Sequence, residues 1–211
     1  MRPIDHTLVL CDLDHLLLDA SGNLPQLQRD VLQLFSSRGG KLTIFSQRSP
    51  RAVRSLLGGV RLSAPALVCG GTLAYNFSEG SGSALCSFEG IEETVLKKLP
   101  ALQTALGDAA AFLHAERLAP DLLALMPGLV SGTAMLNAVC PESGYSAEQV
   151  TVMADCAQML ELIHLAGESV VPADAAPELR LAAGKMTLTD HDTGAAAELL
   201  YGMVRRAEAA V

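Results

Sequence analysis

A chain of 211 residues with 23 acidic against 15 basic side chains, a formal net charge of −8, lacks the basic face that nucleic-acid binding needs. Half of its residues are hydrophobic, 4% are aromatic and none is Trp, so Leu, Val and Ala must fill the core. That length is one ordinary domain, or one domain with a small insertion, and no stretch approaches the ~18 apolar residues of a membrane span.

In chain order, Thr7–Cys11 reads as a strand and 24–35 as an amphipathic helix ended by Gly39-Gly40. Lys41–Phe45 is a second strand, 51–57 a short helix closed by Gly58-Gly59, and Ala66–Val68 a third strand. The rhythm then breaks. Residues 76–83 form a Gly/Ser-rich turn that predicts a hairpin, 92–106 a helix that Pro100 kinks or splits, and 112–114 and 122–126 two more strands. It resumes with a helix at 133–139, a strand at 149–153, a helix at 157–165, short strands at 169–171 and 186–188, and a terminal helix at 195–209. Strands separated by helices predict an α/β fold: a Rossmann-like parallel sheet with helices on both faces. The expected division is a core of 1–72 and 128–211 with a small α+β unit, 73–127, inserted into it.

Chemistry concentrates at Asp12-Leu13-Asp14, where the first apolar run gives out. Ligand sites of open α/β sheets lie at the carboxyl ends of their strands. Two carboxylates so close raise each other's pKa, and a bound cation would relieve them. A strand end followed by an Asp-rich turn is the plainer reading. His15 beside them has the chemistry of a further metal ligand or proton shuttle, and equally of a half-exposed loop residue. Cys11, Cys69, Cys86, Cys140 and Cys156 are odd in number and show no close pair at zinc-ligand spacing. With no recognisable leader segment, they predict reduced thiols in a cytoplasmic protein.

Four segments, in this order, carry a resemblance: LVLCDLDHLLLDASGNL, KLTIFSQRSPRAV, PALVCGGTLAY, and a tail running from VTVMADCAQMLELIHLAG to VVPADAAPELRLAAGKMTLTDHDTGA. Together they resemble the haloacid dehalogenase superfamily, in particular its Cof-type phosphatases. The resemblance implies a phosphatase acting on a small phosphorylated metabolite through an aspartyl-phosphate. Asp12 would be the nucleophile and Asp14 the general acid. Ser46, Arg48 and the position of Ser131 would bind the phosphoryl group. Mg²⁺ would be held by Asp12, the backbone carbonyl of Asp14, and Asp155, and the inserted unit would be a short cap over the site.

The chain also departs from that pattern. His15-Leu16 stands where the family has Gly-Thr, Ser131 where it has a lysine, and Gln158 and Met159 where its metal loop has Asn and Asp. Restoring two of these, by Ser131→Lys and Met159→Asp, is the expected route to faster turnover. Lys41 and Lys185 fall at the wrong ends of their strands to replace the lysine. Arg48 and Arg51 are better placed, although surface positions suit them equally. The alternative to a phosphatase is a catalytically inactive relative that binds a phosphorylated ligand or a protein partner. Neither reading calls for a nucleic acid or a membrane.

Overall fold

A computed structural model describes residues 4–85, 113–119, 122–127 and 130–209. Strand β1 (Leu8–Asp12) is buried along its whole length. It pairs in parallel with β2 (Lys41–Phe45) on one side and β8 (Val150–Met153) on the other. The eight-stranded sheet runs β10-β9-β8-β1-β2-β3-β4-β5, with β3 Ala66–Val68, β4 Leu73–Asn76, β5 Ser81–Ala84, β9 Glu168–Val171 and β10 Lys185–Met186. All pairings from β10 through β3 are parallel.

Side chains alternate across a strand, so β1 feeds two cores. Val9 and Cys11 pack among residues of helices α1 (Gln26–Ser37), α2 (Pro50–Leu57) and α6 (Ala195–Ala209). Leu8 and Leu10 pack among residues of α3 (Gly132–Ser143), α4 (Leu160–Leu165) and α5 (Pro177–Ala182). Each fully buried Leu contributes about 1.5–3 kcal/mol of transfer free energy, which fixes the strand's register. Gly71, just past β3, shows how tightly α3 is seated. A Cβ there would come within 2.5 Å of Met135 Cε, and the backbone has a φ of +83°.

The elements follow the expected order, with three differences. The helix at 133–139 extends to Gly132–Ser143, because Ser131 caps its start and Gly144 closes it in a left-handed turn. The helix at 157–165 is a 3₁₀ turn, Ala157–Met159, leading into α4. Helix α5 was not anticipated, being six residues long and started by Pro177. The expected hairpin around 76–83 forms, but as β4 and β5 laid antiparallel on the free side of β3. It is therefore continuous with the main sheet. Strands β6 (Leu113–Ala119) and β7 (Leu122–Pro127) make a separate two-stranded sheet. The expected helix at 92–106, Phe112 and Cys86 lie outside the described residues. Cys11, Cys69, Cys140 and Cys156 are free thiols, and no helix among the described residues is long and apolar enough to cross a membrane.

Candidate active site

Parallel strands present their carboxyl ends along one edge, and the polar residues follow that edge. Asp12 ends β1, Ser46 follows β2, and Asp155 lies two residues past β8. The expected trio thus sits on three neighbouring strands. The loop after β9 adds Asp174 and the loop after β10 adds His191, neither singled out from sequence. Strands were expected before both loops, and the strand-end rule applied to them would have pointed to these residues.

After Asp12 the chain makes one π-helical turn, Leu13–Leu17, with Leu13, Leu16 and Leu17 buried beneath it. That turn folds His15 back over Asp12. The Asp12 carboxylate, 0% exposed, accepts from the His15 backbone N–H at 3.2 Å. The imidazole Nδ1 lies 3.2 and 3.1 Å from its two oxygens. The buried Cys156 thiol lies against the same carboxylate, and burial together with the Asp12 charge pushes that thiol far above its usual pKa. Ligand atoms of Asp12, His15 and Cys156 all lie within 4.8 Å of one another.

The same turn sends the Asp14 carboxylate towards the loop after β2. There Oδ2 accepts from Ser46 Oγ at 2.9 Å and from the Gln47 backbone N–H at 2.6 Å, while Oδ1 accepts from Arg48 Nε at 2.7 Å. Three donors thus converge on one anion. Arg48, expected to face a phosphate, is engaged with Asp14 in this structure, and so is Ser46.

Asp155 is half-buried. Burial and the Asp174 charge raise its pKa to about 6 and the Asp12 charge adds to this, while His191 and His15 pull it down. The Asp174 carboxylate accepts from the backbone N–H of His191 at 3.0 Å and meets its Nδ1, and that contact raises the pKa of the imidazole. Asp155 therefore faces two other carboxylates and two imidazoles. Its folded-state pKa lies above the unfolded value, so the folded state binds the proton more tightly, and ionised Asp155 weighs against the fold above about pH 6. In EDTA-treated protein, Asp155→Asn is expected to raise unfolding free energy at about pH 7.5 by ~1–3 kcal/mol. The gain should fade as pH drops from about 6 to 4. A gain independent of pH in urea titrations would clear Asp155 of this role.

The positions that depart from the family pattern find structural employment. Ser131 is exposed, and its Oγ accepts from Ala134 N at 3.2 Å as the N-cap of α3. Met159 is 0% exposed and belongs to the core beneath α3 and α4. Arg51 is exposed in the first turn of α2, and Lys185 pairs with Glu168. His114, Glu116 and Arg117, weighed as substrate contacts from the cap, fall within β6.

Residues 9–88 match the family model described as haloacid dehalogenase-like hydrolase. Among solved structures, a haloacid dehalogenase-like hydrolase from Bacteroides thetaiotaomicron aligns with a TM-score of 0.75 at 16% identity, covering 93% of this chain and 99% of that one. A Thermoplasma acidophilum protein aligns at 0.78 and 12%, covering 97% and 99%. A structure described as a subclass IIB sugar phosphatase of the same superfamily aligns at 0.69 and 10%, covering 93% and 99%. No curated protein matches the sequence. At such identities the structural likeness speaks for the fold.

Proposed function

We propose that the chain, whose residues 9–88 match the family model of haloacid dehalogenase-like hydrolases, is a slow phosphomonoesterase acting on a small phosphorylated metabolite of the sugar-phosphate class. The observation that carries this reading is the placement of Asp12. It is a buried carboxylate at the carboxyl end of the central strand, beside a ready-made set of anion donors. Asp12 attacks phosphorus and the bond to the leaving alkoxide breaks, giving an aspartyl-phosphate. Asp14 protonates that alkoxide and then takes a proton from the water that hydrolyses the intermediate. Before either step, Asp14 must yield the Ser46 hydroxyl and the Gln47 N–H, which then hold the phosphoryl oxygens.

Mg²⁺ is the ion such a fold implies, with Asp12, the Asp14 carbonyl and Asp155 as its ligands. Mg²⁺ is hard and takes oxygen donors in an octahedral shell. Here an imidazole nitrogen and a thiol stand against Asp12. This donor set does not fit Mg²⁺, and no step above is routed through it. Residues 73–127 are the segment we assign to a cap over the site.

A second reading, a binding protein without turnover, is favoured by Ser131. Where the family has a cation, an exposed hydroxyl caps a helix. Phosphate release from hexose phosphates and an aryl phosphate, across a range of divalent cations, separates the two. The phosphatase reading expects slow turnover that Ser131→Lys raises at least ~10-fold, since a single charge-stabilising group is typically worth 100- to 1,000-fold. No turnover in either protein, with calorimetric binding of a hexose phosphate, would establish the binding reading.

A further inference from the structure

The residues around Asp12 form a mixed oxygen, nitrogen and sulfur cluster. One carboxylate oxygen of Asp12, Nδ1 of His15 and Sγ of Cys156 fall mutually within 4.8 Å. In a tetrahedral zinc site, with Zn–N near 2.0–2.1 Å and Zn–S near 2.3 Å, neighbouring ligand atoms stand roughly 3.5 Å apart. From 4.8 Å at most, the three donors thus need to close by no more than about 1.3 Å. They come from the end of β1, the turn after it and the loop after β8, all anchored by strands with buried, paired backbones.

We propose that Asp12, His15 and Cys156 form a site for a borderline divalent transition ion of the Zn²⁺ class, with an open coordination position facing the anion-binding edge. The donor types select the ion. Thiolate and imidazole suit Zn²⁺, Co²⁺ and their neighbours, and disfavour Mg²⁺ and Ca²⁺. In the metal-free protein the contacts within the cluster are bridged by protons, from the His15 ring and from the Cys156 thiol to Asp12. One cation replaces those protons. The thiol loses its proton to solvent and binds as thiolate, and the imidazole proton moves from Nδ1 to Nε2, so that the neutral ring gives its Nδ1 lone pair to the metal. Three protein ligands and one open position are the arrangement of zinc sites that bind a water or a substrate oxygen. The site rests on these contacts and not on the phosphatase reading, although a phosphoryl oxygen is a natural fourth ligand.

The test uses the full chain, dialysed against EDTA under reducing conditions and titrated with Co²⁺. One equivalent should bind, with a near-ultraviolet thiolate-to-cobalt charge-transfer band. Zn²⁺ should displace it and excess Mg²⁺ should not. Cys156→Ser should abolish the band, and His15→Ala should weaken Co²⁺ binding by more than ~10-fold, the least that loss of even a supporting partner costs. X-ray absorption of zinc-loaded wild type should show a single sulfur scatterer, a result that stands even where the serine variant does not fold. Cobalt binding without the band, displacement by Mg²⁺, or a zinc shell without sulfur each overturns the proposal. All three readouts are independent of turnover, so an inactive protein leaves the metal site testable and an empty site leaves the phosphatase assay intact.

Discussion

Asp12→Asn should lower phosphomonoester turnover roughly 1,000-fold or more while leaving the protein folded. The expectation combines chemistry and packing. Asn cannot form the acyl-phosphate on which the two-step displacement depends. It does keep the shape of the carboxylate, and its side-chain oxygen can still accept the His15 backbone N–H that starts the π-helical turn. Asp12 is also one of the charges raising the pKa of Asp155, so its removal relieves a repulsion. The variant should unfold at a urea concentration equal to or above that of wild type. Turnover that survives in a folded Asp12→Asn would place the activity at another site or in a contaminant.

Met159→Asp is expected to destabilise the fold by ~3–5 kcal/mol, the opposite of the gain that the family pattern suggests. In the pattern this position is a carboxylate supporting the metal. In the structure Met159 is wholly buried, closing the 3₁₀ turn that leads into α4, and sits in the same core as Leu10, Val152 and Leu162. A carboxylate there has apolar neighbours, so it must be buried ionised or take up a proton. Either is costly near neutral pH. The check is the urea midpoint of Met159→Asp beside Met159→Leu, which should cost less than ~1.5 kcal/mol. If the aspartate variant matches the leucine variant in stability, the side chain reaches solvent or a cation, and the metal loop is closer to its relatives than the packing indicates.

These outcomes mark where the sequence was legible. Leu8 to Cys11, Leu42 to Phe45 and Val150 to Met153 are short apolar runs ending in polar residues. That pattern suits a buried parallel strand, and together with the family resemblance it placed Asp12, Ser46 and Asp155. Asp174 and His191 were passed over although strands were expected just before them, because they lie three and five residues past the ends of β9 and β10 and not at the strand ends themselves. The clamp on Asp14 was invisible for a different reason. Spacing shows that two carboxylates are near each other but not which way each turns, and here the π-helical turn aims one at His15 and Cys156 and the other at Arg48. Ser131 was located by its alignment with a lysine, whereas its observed role, capping α3, could have been inferred from the Ser-Gly-Thr-Ala start of that helix.

The strand order carries a consequence for how the chain is made. β1 emerges among the first residues, and its partner on one side, β2, follows within about thirty-five. Its partner on the other side is β8, with Leu8 against Val150. During synthesis this wholly buried strand waits with one edge unpaired until β8 has left the ribosome. Pairings so distant in sequence form slowly, and an exposed hydrophobic edge invites pairing with other chains. The interval between β2 and β8, with the whole of 73–127 translated inside it, is therefore when this protein is most exposed to aggregation. Lengthening that interval by slowing translation should cost soluble yield more than any change made after β8.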